Sequence, residues 1–484
     1  MFALAALSLV SAAGSALAAD CDIDIRDGSD YLFDFNSEVS DPPRVAAAYG
    51  GVFEGEAPGG RDDSWDDWGG IFVAAPSADL AGLGVEDRYL GPNACEVVAG
   101  GREVRYPVVP MKGLEVQHAW FVDPGPLNGA RILTVLRNPG AAPISVKLVQ
   151  GFPLEGFRDE VDLGSDSGTV LAATSDGTRV ATPTSTWGVT TDHEPLAGSI
   201  DFDPALAHVW DGPGGATRVA EVFAKTGDER LYWTWVATVP PGGTSSFISY
   251  EIQATVPDAS AIAEVGQASA QAQARQAQGP ASLYQGMSAA EIAGTMNWAH
   301  PAPTATIKSV AGANSGRPVL LDGSGSLGAA GLPQCGIVSY AWKADDGATA
   351  TGPTFSHAFK PGAHKAMLTV TSTCGASTGA ETSFVVAPSF KLGKVKLNRS
   401  KGTATVKVTT LAAGKLTLSG KGVKKVSKKL AKPGTVTLVV KPTGKVRKRL
   451  FARGDAKAKI VVSLTPASGA PTSLRKTLPL KLGD

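Results

Sequence analysis

The sequence predicts a mostly β, multidomain chain built from β-sandwiches, with a short helical segment between the first two domains. Three observations lead to this prediction. The chain has 57 glycines and 32 prolines, 89 of its 484 residues, as expected for many short strands joined by turns. Alternating apolar and polar runs, typical of half-buried strands, recur along most of the chain. The length corresponds to about three domains of ordinary size.

The first residues predict an exported protein. Residues 2–19 carry no charged side chain, and they end in Ala16-Leu17-Ala18, a small-x-small pattern that signal peptidase accepts. We therefore expect residues 1–19 to be a signal peptide, and the mature chain to be secreted or associated with the cell envelope. No later stretch is apolar over 18 consecutive residues, so we expect no transmembrane segment.

Four cysteines in an exported protein predict disulfide bonds. Three pairings are possible. We favour Cys21 with Cys95 and Cys335 with Cys374, because each bond then stays inside one expected domain.

Residues 20–257 are expected to form one large, acidic, two-sheet β-sandwich. Its strand-like runs are separated by turn signals such as Asn138-Pro139-Gly140. Residues 258–300 differ, because Ala261–Gln278 is rich in Ala and Gln and predicts a helix. Ser288 and Glu291 have the spacing of a capping box, which predicts a second helix that ends near Trp298. We expect this helical segment to pack on the sandwich.

Residues 301–388 carry a set of ordered motifs: VLLDGSGS at 319–326, IVSYAW at 337–342 and, after Gly362, MLTVT at 367–371. These motifs resemble the PKD domain family. The resemblance implies an Ig-like β-sandwich of the kind found on exported and cell-surface proteins, where it serves mainly as a spacer or interaction module. Two of the family's acidic segments are altered here, at Leu327–Gly331 and at Trp342–Gly347, so the resemblance does not imply calcium binding.

Residues 389–484 are expected to form a basic β-sandwich, because β-branched residues alternate with Lys and Thr over several runs. They resemble the Lys/Thr/Val-rich C-terminal β domains that recur on bacterial exported proteins. The resemblance implies no particular activity. Residues 20–300 likewise resemble the N-terminal part of such proteins.

The net charge of zero conceals a strong polarity along the chain. Residues 389–484 contain 24 Lys and Arg against 2 Asp and Glu, whereas residues 1–302 contain 16 against 39. Two blocks of opposite charge therefore flank a nearly neutral segment. Such asymmetry indicates charged partners rather than a particular fold.

The densest polar cluster predicts a ligand-binding site in the acidic domain. Its aspartates could ligate calcium through oxygen, and its tryptophans could stack on a sugar ring. The alternative is an exposed acidic loop whose tryptophans pack into the sandwich. The residues of this predicted site are Asp62, Asp63, Trp65, Asp66, Asp67 and Trp68.

The sequence contains no recognisable catalytic motif, and no metal or other cofactor is required by its residues. Glu115, His118, His193 and Glu194 could perform acid–base chemistry. Glu115 and His118 are three residues apart, however, and would lie on opposite faces of a strand. We therefore expect structural roles for these residues and a non-enzymatic protein.

The C-terminal basic runs predict an anion-binding surface. Aromatic residues that could stack on nucleic-acid bases are limited to Phe390 and Phe451, so we expect an anionic envelope polymer or a carbohydrate as partner, and no nucleic acid. The alternatives are a solvated strand face and a surface that meets the acidic domain of the same chain. The predicted residues are Lys424, Lys425, Lys428, Lys429, Arg447, Lys448 and Arg449.

Together these observations predict a non-enzymatic exported protein that binds a ligand, with carbohydrate as the leading candidate. The PKD-like module would act as a spacer, and the basic module would contact the envelope. The alternative is a polysaccharide-active enzyme whose catalytic domain is the acidic sandwich.

Overall fold

Strands make up most of the chain in the computed structural model. The described residues are 21–36, 54–56, 69–92, 94–125, 129–151, 153, 170–191, 205–225, 228–254, 261–278, 280–310, 313–467 and 469–483. They belong to two units, one formed by residues 1–301 with 373–375 and the other by residues 302–372 with 376–484. The predicted mostly β fold with several sheets and a short helical segment is confirmed.

The described part of the first unit contains sixteen strands. They are β1 (Asp22–Arg26), β2 (Leu32–Asn36), β3 (Glu54–Glu56), β4 (Ile71–Ala74), β5 (Glu96–Val98), β6 (Glu103–Arg105), β7 (Val109–Met111), β8 (Leu114–Val122), β9 (Gly129–Arg137), β10 (Ile144–Gly151), β11 (Val170–Thr174), β12 (Trp187–Thr191), β13 (Leu206–Val209), β14 (Glu221–Lys225), β15 (Asp228–Val239) and β16 (Thr244–Gln253).

These strands form three sheets within the described residues. The largest has nine strands in the order β11-β12-β13-β16-β9-β8-β6-β5, with β7 beside β8. A second sheet has the order β14-β15-β10-β4, and a third has the order β1-β2-β3. Their pairings are antiparallel throughout, as expected for a sandwich of hairpins.

The nine-stranded sheet is covered on both faces, and for this reason nearly every residue of β9 is buried. On one face, Ile132 and Leu136 join a core that contains Trp233 and Trp235 of β15. We call this the inner face. The opposite, outer face carries Arg131 and the other alternate residues, and it lies under the helical segment.

The helical segment packs on the outer face through α1 (Ala261–Gln276), α2 (Pro280–Leu283) and α3 (Ala289–Ala293). The predicted capping box is present: the Ser288 hydroxyl accepts a hydrogen bond from Glu291 N, and the Glu291 carboxylate accepts one from Ser288 N. The helix predicted from this capping box is α3, and it ends at Ala293, not near Trp298 as predicted. The residues after it pair with β16 instead, where Ser246 N donates to the Gly294 carbonyl. None of the described helices has the length and apolar character of a membrane span.

Buried and partly buried charged side chains of the sheet attach the helical segment to it. Arg131 is 1 % exposed; it donates to the Glu103 carboxylate at 2.7 Å and to the Leu283 carbonyl at 2.9 Å. Arg105 donates two hydrogen bonds to the Glu291 carboxylate, at 2.8 and 3.2 Å. These charged side chains therefore stabilise the packing of the helical segment on the nine-stranded sheet.

All four cysteines are used in disulfides. Cys21 and Cys95 are bonded, with their Cα atoms 5.3 Å apart, and both are fully buried. Cys335 and Cys374 are disulfide-bonded as well. With the first pair taken, only the predicted second pairing remains.

The PKD-like region forms two small sheets around one core. Trp342, Phe355, Phe359 and Leu368 are its main buried side chains. The sheets pair β17 with β20 and place the others in the order β19-β18-β21-β22. The strands are β17 (Val319–Asp322), β18 (Ile337–Ala344), β19 (Thr349–Thr351), β20 (Thr354–His357), β21 (Gly362–Ser372) and β22 (Ser377–Val386).

The C-terminal region is a second sandwich with its own core. One described sheet has the order β23-β24-β27 and the other β26-β25-β28-β29. Buried and exposed residues alternate along β28, as the alternation of apolar residues with Lys and Ser predicts. Its elements are β23 (Phe390–Asn398), β24 (Thr403–Thr410), β25 (Gly414–Ser419), β26 (Val426–Leu430), β27 (Gly434–Val440), α4 (Gly444–Arg453), β28 (Asp455–Pro466) and β29 (Thr472–Lys481).

Helix α4 was not expected in this sandwich. Its sequence GKVRKRLFAR contains one β-branched residue and several good helix formers, and Gly454, in the left-handed conformation at φ 70°, ends it. Leu450 packs against Gly402 and Val446 against Gly422; both glycines have positive φ, and a Cβ there would meet these side chains at 2.8 and 2.4 Å. The helix therefore caps one end of the sandwich.

Candidate functional site

The predicted ligand site at Asp62, Asp63, Trp65, Asp66, Asp67 and Trp68 lies outside the described residues, as do His193 and Glu194. The site and its calcium therefore remain predictions.

Glu115 and His118 lie on opposite faces of β8, as expected from their spacing. Glu115 is exposed, whereas His118 is fully buried on the inner face. The His118 ring contacts the Thr134 hydroxyl at 3.2 Å and accepts a hydrogen bond from the Trp120 indole N–H at 3.0 Å. His118 thus has a structural place in the core.

A second histidine–carboxylate pair was missed by the sequence reasoning. His208 and Glu251 are cross-strand partners on β13 and β16. His208 Nδ1 lies 2.5 Å from Glu251 Oε2, and its Nε2 lies 2.8 Å from the Thr190 hydroxyl. All three side chains are fully buried, so this polar group also supports the core. No sequence motif signals it, because its members are 18 and 43 residues apart.

Asp211 is another buried carboxylate with a structural role. It accepts hydrogen bonds from the Val219 backbone N–H at 2.9 Å and from the Trp235 indole N–H at 3.1 Å. Desolvation by burial raises the pKa of Asp211 to about 6, although these hydrogen bonds oppose the shift.

In the C-terminal sandwich, the charged side chains that the structure describes are exposed rather than buried. All seven predicted anion-binding residues are exposed. Residues 389–484 contain only Asp455 and Asp484 as acidic side chains, so 24 cations cannot be neutralised inside this module. Its surface potential is therefore strongly positive.

The fold brings two separate basic runs together at the end capped by α4. The loop that carries Lys424 and Lys425 lies beside the start of the helix that carries Arg447. Lys424 N donates to the Lys441 carbonyl at 2.9 Å, and Thr443 N donates to the Gly422 carbonyl at 2.7 Å. We name this surface the cationic end; its predicted members are Lys424, Lys425, Arg447, Lys448 and Arg449.

Lys428 and Lys429 lie away from the cationic end, along edge strand β26. Lys428 Nζ donates to the Thr437 carbonyl at 3.4 Å, and Lys429 is the direct cross-strand partner of Lys415. The seven predicted residues therefore form two groups rather than one.

One aromatic side chain is exposed at the cationic end. Phe451 is 61 % exposed, and the Arg447 guanidinium lies 5.3 Å from its ring centroid. An exposed ring beside a guanidinium offers both an apolar face and a cation to a ligand. From the sequence, Phe451 was notable only as one of the two aromatic residues of this module.

Polar side chains of the VLLDGSGS motif in the PKD-like region form hydrogen bonds within their own turn. Asp322 accepts a hydrogen bond from Ser324 N at 2.9 Å, and the Ser326 hydroxyl donates to the Gly323 carbonyl at 2.8 Å. Residues 300–387 match the PKD domain family. The predicted central PKD domain is therefore confirmed. In the altered acidic turn of this domain, Asp345 Oδ1 lies 3.0 Å from His364 Nδ1. Asp346 Oδ2 lies 2.8 Å from His357 Nε2.

Among curated proteins, no sequence matches the chain. Solved structures that align with parts of the chain include a polysaccharide lyase, at 12% identity and a TM-score of 0.27, covering 70% of this chain and 45% of the lyase. A carbohydrate-binding module of the β-sandwich superfamily has 14% identity and a TM-score of 0.17, covering 37% of this chain and 96% of the module. A putative aldose 1-epimerase from Escherichia coli K12 has 8% identity and a TM-score of 0.27, and the alignment covers 48% of this chain and 98% of the epimerase.

The chain thus spans less than half of the lyase. At these identities and TM-scores, none of the three similarities carries an activity over to this chain.

Proposed function

We propose that this chain is a non-enzymatic exported protein that attaches to an anionic polymer of the cell envelope through the cationic end of its C-terminal sandwich. The PKD domain acts as a spacer, and the acidic N-terminal sandwich binds a carbohydrate ligand. The convergence of two basic runs on one exposed surface is the observation that carries the proposal.

The contrast in charge supports attachment through the C-terminal module. Its cations outnumber its carboxylates by 24 to 2, so their positive potential is available to a partner. Interactions between exposed charges weaken at high salt, because the screening length falls from about 8 Å at physiological ionic strength to about 3 Å at 1 M salt. Attachment through the cationic end should therefore be salt-sensitive.

The non-enzymatic assignment is supported by the positions of the acid–base candidates that the structure describes. His118 and the His208–Glu251 pair are sealed in the core. Exposed Glu115 lies on the face of β8 opposite to His118. A general acid or base must reach the proton that it transfers, and these histidines do not reach solvent.

Salt elution of the full chain from immobilised anionic polymer tests the proposal. The test variant carries Gln in place of Lys424, Lys425, Arg447, Lys448 and Arg449. The matched control carries Gln at five other exposed cations, Lys391, Lys394, Lys396, Lys407 and Lys432. We expect the test variant to elute at lower salt than the control. Equal elution of the two variants would contradict attachment through the cationic end.

A panel of polysaccharides, with and without calcium, tests the N-terminal ligand site. We expect retention of the wild-type chain without release of sugars, and loss of retention when Trp65 and Trp68 are replaced by Ala. Release of sugars that depends on a pair of carboxylates would favour the polysaccharide-active enzyme instead.

A further inference from the structure

A cleft opens in the C-terminal sandwich at the end of β25 far from α4. Its volume is about 640 Å³, and it lies where the ends of β25, β26 and β28 meet. Its lining combines cations, hydroxyls and apolar groups, among them Lys415, Ser427, Lys429, Leu430, Thr465 and Pro466. This mixed lining could hold a charged group carried on an uncharged body.

Two like charges face each other in this cleft. Lys415 and Lys429 are direct cross-strand partners, and both are exposed. Like charges at directly opposed positions destabilise a sheet. The described residues that line the cleft include Lys428 as a third cation and contribute no carboxylate. An anion between the two ammonium groups would relieve this repulsion.

The types of donor indicate the kind of anion. Arginine presents a planar fork that suits carboxylate and phosphate alike, whereas lysine presents a compact ammonium with three donors and binds phosphate as a point charge. The cations of the cleft are all lysines. On the same face, Thr465 is opposite Lys415, and Ser427 is two residues before Lys429 on β26. The Ser427 hydroxyl lies 3.1 Å from that of Thr417. Donors in several directions fit a tetrahedral group better than a planar one.

A row of hydroxyls continues across the sheet from the cleft. Ser427, Thr417, Ser463 and Ser473 occupy one register position on four adjacent strands. The two outer pairs are hydrogen-bonded, at 3.1 Å for Thr417–Ser427 and 2.8 Å for Ser463–Ser473. Such a row can exchange hydrogen bonds with the hydroxyl groups of a polyol.

We propose that the cleft binds a phosphate group of a phosphodiester-linked polyol polymer, with Lys415 and Lys429 on the phosphate and the hydroxyl row along the polyol. This inference rests on the proposed attachment to an anionic polymer and names its class. It assigns a second contact, separate from the cationic end.

Binding of synthetic poly(glycerol phosphate) to the full chain tests the inference. The test variant is Lys415→Gln with Lys429→Gln. The matched control is Lys391→Gln with Lys396→Gln, which removes the same charge from exposed positions on β23 that are paired with threonines. We expect the Kd of the test variant to rise about tenfold, because two charge-assisted contacts are lost, and that of the control to change much less.

The comparison ligands identify the anion. Polygalacturonate, a carboxylate polymer, should bind both variants with nearly equal Kd. Equal weakening of poly(glycerol phosphate) binding in both variants, or a greater effect on polygalacturonate, would overturn the phosphate assignment. Full competition by an equal phosphate concentration of inorganic phosphate would overturn the polymer assignment. None of these results affects the elution test of the cationic end, so the two proposals fail separately.

Discussion

The two sandwiches of this chain use charged residues in opposite ways. In the N-terminal sandwich, Arg131 and Glu103 are almost fully buried and bonded to each other between the sheet and the helical segment. In the C-terminal sandwich, Lys415 and Lys429 are exposed and face each other without a carboxylate between them. The first arrangement stabilises the fold, whereas the second leaves charge available to a partner.

This difference separates residues whose loss should unfold the protein from residues whose loss should change only binding. Breaking a buried ion pair leaves an uncompensated charge in the interior. Removing an exposed charge leaves only a more weakly charged surface. Three measurements of protein stability test whether buried and exposed charges differ in this way.

The largest effect is expected for Arg131→Met, which removes one of the two guanidinium groups bonded to the buried Glu103 carboxylate and leaves Arg105 as the other. The change also removes the hydrogen bond to the Leu283 carbonyl, so we expect the free energy of unfolding of the N-terminal unit to fall by about 3 kcal/mol. Urea unfolding followed by tryptophan fluorescence reports on this unit, because eight of the nine tryptophans lie in residues 1–301. Arg137→Met is the control, since Arg137 is 32% exposed and shares Glu291 with Arg105. Equal losses in both variants would contradict the comparison.

An intermediate effect is expected from the pH dependence of Asp211. Its pKa is raised to about 6 in the folded state from 3.8, so between these values the folded state binds more protons than the unfolded state. Its contribution to stability therefore falls as pH rises through this window and stays at its minimum above about 6. Asp211→Asn should reduce this slope between pH 4 and 6, as measured by urea unfolding at several pH values. An unchanged slope would show that Asp211 does not titrate there.

The smallest effect is expected for Lys415→Gln with Lys429→Gln. Removing the facing charges relieves their repulsion, so the unfolding free energy should change by less than about 0.5 kcal/mol and should not fall. Differential scanning calorimetry of this variant and of Lys391→Gln with Lys396→Gln provides the measurement. A clear loss of stability restricted to the Lys415/Lys429 variant would give this pair a structural role and weaken its assignment to a ligand.

Much of the fold could be predicted from local patterns. The alternating runs predicted strands, the Ser288–Glu291 spacing predicted a helix start, and the motifs at 319–371 predicted the PKD domain. Helix α4 was missed because strand patterns on both sides of it suggested that the whole region was β. The helix is also stabilised by Leu450 packing on Gly402, a contact between residues 48 positions apart.

The candidate sites were predictable only in part. The basic runs 421–429 and 445–449 are visible as composition, but their convergence at one end depends on hydrogen bonds between the Gly422 loop and Thr443. Lys415 and Lys429 are opposite each other because of the register between β25 and β26, and sequence spacing does not specify that register. The His208–Glu251 pair arises in the same way.

The sequence by itself determined that this protein is mostly β, that its charge is polarised along the chain, and that it contains a PKD domain. These properties depend on composition and on neighbouring residues, which a linear pattern records. Only the tertiary structure decided which charges are buried and which are exposed. That distinction depends on which strands pair and which faces are covered, so acidic and basic residues of similar appearance in the sequence became ion pairs in one sandwich and an open cationic surface in the other.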